Sequence, residues 1–90
     1  PLSLAVDSSG NIFVADTSNH RIQKFNSSGA YQSQFGTVGV GNGQFIAPAG
    51  IFIDTSDSDK IYVADYGNHR IQVFDSSGTY LTQFGTSGSG

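Results

Sequence analysis

Four short apolar-rich segments, Leu4 to Asp7, Asn11 to Asp16, Arg21 to Phe25 and Tyr31 to Phe35, are separated by runs of Ser, Asn, Asp and Gly. Each has the length of a β-strand. The tetrapeptide Asp-Ser-Ser-Gly or its Asn variant occurs three times, at Asp7 to Gly10, Asn26 to Gly29 and Asp75 to Gly78. Its first residue can form an Asx turn and its glycine can take positive φ, so each copy predicts a tight hairpin. The remaining turn, Thr17 to His20, is also rich in small polar residues. The pattern predicts a four-stranded antiparallel meander. The second segment is apolar on both sides, Ile12 and Val14 against Phe13 and Ala15, as in a strand covered above and below. The fourth, with Gln32, Ser33 and Gln34, is wetter. Burial is therefore expected to decline from a central first strand to a fourth strand at the rim.

The same unit is then written again. Displacing the chain by 49 residues puts Ile12 to Asp16 on Ile61 to Asp65, and Asn19 to Gln23 on Asn68 to Gln72, with about 20 of 30 aligned positions identical. Upstream the displacement is 47, because Pro1, Val6 and Asp7 fall on Pro48, Ile53 and Asp54; the two extra residues lie in the Asp54 to Lys60 loop. The chain divides into a first unit at 1–41, a connector at 42–47 and a second unit at 48–90. A repeat of about 45 to 50 residues with four strands is the signature of a β-propeller blade, whose two faces are covered by its neighbours.

The string Gly43-Gln44-Phe45-Ile46-Ala47-Pro48-Ala49-Gly50-Ile51-Phe52-Ile53-Asp54, followed by Ile61 to Phe74, resembles the NHL repeat, and the resemblance extends twice over essentially the whole chain. Arg21 and Arg70 stand where the family's naming residue is Leu, and Ser3 replaces the glycine found at Gly50. The resemblance implies an all-β fold of propeller blades in a six-bladed ring. Two blades leave two large apolar faces open, more than a soluble monomer tolerates, so the expectation is a head-to-tail homotrimer in which three chains complete six blades. Phe45, the apolar residue of an otherwise Gly-rich connector, is expected to pack at the junction within the chain. The Gly88-Ser89-Gly90 end carries no counterpart of it, which predicts looser seams between chains. The alternative is a fragment of a larger single-chain propeller, including a metal-dependent lyase or hydrolase, since a lyase related to the family holds metal in its propeller channel.

Composition narrows the function. Four Lys and Arg against seven acidic residues give a net charge of -3, without the basic footprint that a phosphate backbone requires. All seven acidic residues are Asp, which favours turns over helix interiors. The absence of Cys removes disulfides, thiol nucleophiles and thiolate metal sites. No apolar run approaches the roughly 18 residues of a membrane span. The expected partners are a second copy of the chain and a protein or peptide ligand, with neither nucleic acid nor membrane. Beginning on Pro1, the sequence reads as a processed, excised or engineered piece of something longer, soluble, and secreted or periplasmic if it derives from a bacterial member of the family.

Several residues invite chemistry. Asp16 with Arg21 and Asp65 with Arg70 flank equivalent turns, and opposite charges so placed favour cross-strand or blade-to-blade pairing; with Asn19 and Asn68 they are read as structural. His20 and His69 are candidate metal ligands or proton carriers, but both are repeat residues of a turn. Asp54, Asp57 and Asp59 offer hard oxygen ligands, yet the loop lacks the glycine and distal Glu of an EF-hand and reads as a solvated hairpin tip. Asn26-Ser27-Ser28 matches a glycosylation acceptor and doubles as an Asx turn. No Ser, His and Asp combination has a nucleophile-elbow context. No catalytic residue and no cofactor is expected; the function implied is a scaffold or binding module.

Overall fold

In a computed structural model, which describes residues 3–85, the chain forms two four-stranded antiparallel meanders joined by a short parallel pair. Blade 1 comprises β1 (Ser3–Val6), β2 (Ile12–Asp16), β3 (Arg21–Phe25) and β4 (Tyr31–Phe35), hydrogen-bonded in that order. The connector contributes β5 (Thr37–Val38) and β6 (Gln44–Phe45), paired in parallel. Blade 2 repeats the meander with β7 (Pro48–Asp54), β8 (Lys60–Asp65), β9 (Arg70–Phe74) and β10 (Tyr80–Phe84).

The turns form as their chemistry dictates. In each Ser-Ser-Gly tetrapeptide the leading side chain accepts two backbone N–H groups: Asp7 from Ser9 and Asn11, Asn26 from Ser28 and Ala30, Asp75 from Ser77 and Thr79. The glycine that follows takes φ of 85° to 88° in all three, a region that only glycine enters cheaply. Asn26 therefore has its side-chain oxygen engaged by its own hairpin. The turns at Thr17–Asn19 and Tyr66–Asn68 are single 3-10 turns, each closed by a histidine in the left-handed region at φ 55°, ψ 44°. Identical torsions at His20 and His69 mean that the two copies share local geometry as well as sequence.

The core lies between the blades, and each blade supplies a different face to it. From blade 1 come Phe13, Ala15 and Ile22; from blade 2 come Ile53, Ile61, Val63 and Phe74; the connector adds Phe45. Alternation along a strand puts neighbours on opposite faces, so blade 1 packs with its Phe13/Ala15 face and blade 2 with its Ile61/Val63 face. The repeat partners of these residues, Tyr62 and Ala64 in blade 2 and Ile12 and Val14 in blade 1, point the other way and are only half-buried. A decline of burial from a central first strand outward would cover β1 more than the strands after it. Leu4 and Val6 are instead 62% and 48% exposed, because they belong to the face of blade 1 against which no described residue packs. β4 is exposed apart from half-buried Phe35, as its composition suggests.

Candidate interaction surfaces

The densest polar constellation sits where the connector crosses blade 2. Asp65 is fully buried at the end of β8, and antiparallel register places it opposite Arg70 on β9. Arg70 Nε donates to Asp65 Oδ2 at 2.9 Å, and Asn68 Nδ2 and Gln72 Nε2 donate to the same oxygen. Asp65 Oδ1 accepts the N–H of Ile46 at 2.8 Å. A buried carboxylate is costly unless paired and hydrogen-bonded; here both oxygens are satisfied.

The cationic and amide ends of this cluster grip the connector backbone. Asn68 Nδ2 donates to the carbonyl of Gly39, Arg70 Nη1 to that of Val40, and Arg70 Nη2 to those of Gly41 and Gln44. Gln72 reads both backbone polarities, donating to the Gln44 carbonyl at 2.6 Å and accepting the Gly43 N–H at 2.8 Å. Phe45 thereby completes a three-ring cluster, 6.5 Å from Phe35 and 5.7 Å from Phe74 between ring centroids, with Phe35 and Phe74 4.9 Å apart.

Blade 1 carries the same four side chains. Asp16 and Arg21 pair across β2 and β3 at 3.1 Å, and Asn19 donates to the same carboxylate. Among the described residues, no connector-like segment lies on them, and the pair is correspondingly open: the side chains of Arg21 and Asp16 are 32% and 17% exposed, against 9% and 0% for Arg70 and Asp65.

The other sequence candidates are dispersed. His20 Nδ1 accepts the N–H of Ala47 at 3.0 Å, so this ring links the blade 1 turn to the entrance of β7, while His69 lies exposed at the equivalent turn of blade 2. Asp57 pairs with Lys60 at 3.2 Å. Asp59 is not a free hairpin tip: its two oxygens accept the N–H and hydroxyl of Ser8, 51 positions away, and so tie the blades together. Among the described residues no three His, Asp or Glu side chains converge on a point that could hold a metal ion. The acidity of Asp7 is perturbed by its hairpin. Burial raises its pKa, but hydrogen bonds from the Asn11 side chain and the Asn11 and Ser9 amides, with the nearby Lys24 charge, outweigh this and hold it below the usual carboxylate range.

Two surfaces correspond to the open apolar faces expected of a two-bladed chain. One is the open face of blade 2, where Gly50, Ile51, Phe52, Tyr62, Ala64 and Ile71 line an apolar depression of about 180 Å³. The other is the open face of blade 1, bearing Leu4, Val6, Ile12 and Val14. The signal for both was the alternation of β2 and β8, apolar in both phases, which requires two covers per blade.

Comparison with known proteins bears on what these blades are. The family model described as NHL repeat matches residues 1–25 and 48–74, one match per blade. The chain belongs to the NHL repeat family. It is 37% identical over 59 residues to the protein Brain tumor of Drosophila melanogaster, a match spanning 66% of this chain and 6% of that protein. The NHL blades also superpose on the crystal structure of a Bacteroides fragilis protein described as exported. The TM-score is 0.78 at 22% identity, covering 96% of this chain and 24% of the other. That likeness concerns the fold alone.

Proposed function

We propose that this NHL chain is a non-catalytic binding scaffold that assembles with itself, three two-bladed copies closing head to tail into a six-bladed ring. The observation that carries the proposal is the equivalence of its two open faces to the interface already formed inside the chain. On blade 2, Tyr62, Ala64 and Ile71 surround the open depression; their repeat partners in blade 1 are Phe13, Ala15 and Ile22, which are 2%, 0% and 0% exposed beneath blade 2. On the open face of blade 1, Leu4, Val6, Ile12 and Val14 are the partners of Ile51, Ile53, Ile61 and Val63, which pack against blade 1 from the other side. One copy thus offers the socket and the next copy the plug of a contact that the chain makes once internally. Such a heterologous contact forms a closed ring when its rotation closes, and the six-fold count comes from the family resemblance.

A non-catalytic role is supported by where the ionisable side chains are used. Asp16, Asp57 and Asp65 pair with Arg21, Lys60 and Arg70, Asp59 holds Ser8, and Asp7 and Asp75 hold their own turns. Three of the four strong cations are in those pairs, and Lys24 lies 5.4 Å from the centre of the Phe13 ring, which argues against a phosphate-reading face.

The test is a charge placed in the socket. Phe52, at 62% exposure, contributes little to the folded chain but would be central to the seam. Phe52→Asp should leave far-ultraviolet circular dichroism and secondary structure intact while reducing the sedimenting species to a single chain. A ring that survives Phe52→Asp contradicts the proposal.

A further inference from the structure

We infer that Asn26 is an N-glycosylation site, its Nδ2 accepting a pre-assembled oligosaccharide from a polyprenyl-pyrophosphate carrier. The inference starts from three equivalent hairpins. Asp7, Asn26 and Asp75 hold their turns in the same way, each through one side-chain oxygen that accepts the N–H groups two and four residues on. The turn asks only for an oxygen, and a carboxylate supplies it in two of the three. The amide nitrogen at position 26 therefore has no part in holding the hairpin. Of the five asparagines in the chain, Asn26 alone begins an Asn-x-Ser/Thr pattern, with Ser27 and Ser28.

The geometry leaves the reacting atom free. The N–H groups of Ser28 and Ala30, at 2.9 and 3.0 Å, can be accepted only by the carboxamide oxygen, so these partners fix which atom is Oδ1 and which is Nδ2. In the first hairpin the second atom of the capping side chain is occupied: Asp7 Oδ2 accepts Asn11 Nδ2 at 3.1 Å. Ala30 stands in the place of Asn11 and offers no polar side chain. Among the described residues Asn26 Nδ2 makes no hydrogen bond.

Room for a glycan follows from exposure. Asn26 is half-buried, and every residue from Ser27 to Gln34 is exposed. A neighbouring blade does not close this space, as blade 2 shows. There the hairpin lies against blade 1, with a Cβ on Gly78 only 2.9 Å from the Phe35 ring, yet Ser76 and Ser77 stay exposed and Asp75 half-buried. Oδ2 of Asp75, the counterpart of Asn26 Nδ2, takes no part in that turn. The site is therefore open with or without ring closure.

The transfer needs nothing from this chain beyond the amide, an oligosaccharyltransferase supplying the catalysis. Nδ2 forms a bond to the anomeric carbon of the first sugar, the bond from that carbon to the pyrophosphate oxygen breaks, and the pyrophosphate leaves on its lipid. One Nδ2 proton is released. Oδ1 keeps both of its turn bonds, so the hairpin survives the modification.

The test is translation of the 90-residue chain, behind a cleavable secretion leader, into microsomes that hold the carrier and the transferase. One glycan per chain is expected, removed by peptide-N-glycosidase with conversion of Asn26 to aspartate in the peptide mass spectrum. Asn26→Asp and Ser28→Ala should each abolish the modification. Both keep the turn, since the first reproduces the side chain of Asp7 and Asp75, and Ser28 contributes its backbone N–H. Circular dichroism of the purified chain should be unchanged by removal of the glycan. A chain that enters the lumen, folds and stays unmodified overturns the site. Modification that persists in either variant does the same, as does a glycosylated chain that has lost its strand signal.

Discussion

The rings of Phe45 and Phe74 lie 5.7 Å apart, tilted by 56°, and both are sealed from solvent. Phe45 comes from the connector and Phe74 from β9, so this contact joins the passage between blades to the core they share. Phe45→Ala removes a fully buried ring from a site whose walls are strands already fixed in register. The expected cost is about 3–5 kcal/mol. Equilibrium denaturation should show it directly, whereas Phe52→Ala, on the open face, should cost less than about 1 kcal/mol in the dissociated chain.

Asp65→Asn and Asp16→Asn make the same chemical change at equivalent positions in unequal surroundings. The first leaves the 9%-exposed Arg70 without its counter-charge and should destabilise by about 3 kcal/mol or more. Asp16 and Arg21 remain in contact with solvent, and the second variant should cost about 1 kcal/mol or less. Comparable losses for the two would contradict the asymmetry of the blades.

Gly67→Ala should be destabilising by about 1–3 kcal/mol. Its Cβ would stand 2.6 Å from the Ile46 carbonyl oxygen, a backbone atom held by the connector and unable to move aside cheaply. Ser18, at the same turn in blade 1, has no such neighbour among the described residues, so Ser18→Ala should be nearly silent. Thermal melts of the two variants provide the contrast.

Acid sensitivity should run partly through Asp7. Its folded pKa is held below the usual range, so the stabilisation it provides is present above the unfolded value of about 3.9 and is lost as pH falls through the lower folded value. Asp7→Asn keeps an Asx-competent side chain, as Asn26 shows in the parallel hairpin. The denaturation midpoints of the two proteins should therefore differ most near neutral pH and converge toward pH 2.

Much of the fold was legible because its signals are local. Asp7, Asn26 and Asp75 mark their hairpins with a turn-forming side chain and a glycine three residues on, and the 49-residue displacement makes the second blade a restatement of the first. What was not legible depends on how blades meet. The bonds from Arg70 to the connector span 26 to 30 positions and that from Ser8 to Asp59 spans 51; neither is encoded in any short window. Gln72, fully buried between apolar neighbours, was the available hint. A polar side chain at a core position must have partners, and in β9 those partners are the main chain of the connector.

The central claim, that the open face of blade 2 receives the open face of blade 1 from another copy, is tested most directly by the solution mass of the chain across a dilution series in light scattering. Three times the chain mass of 9.5 kDa, falling toward a single chain only at high dilution, is the predicted result. A folded species that remains at 9.5 kDa at every concentration would contradict it.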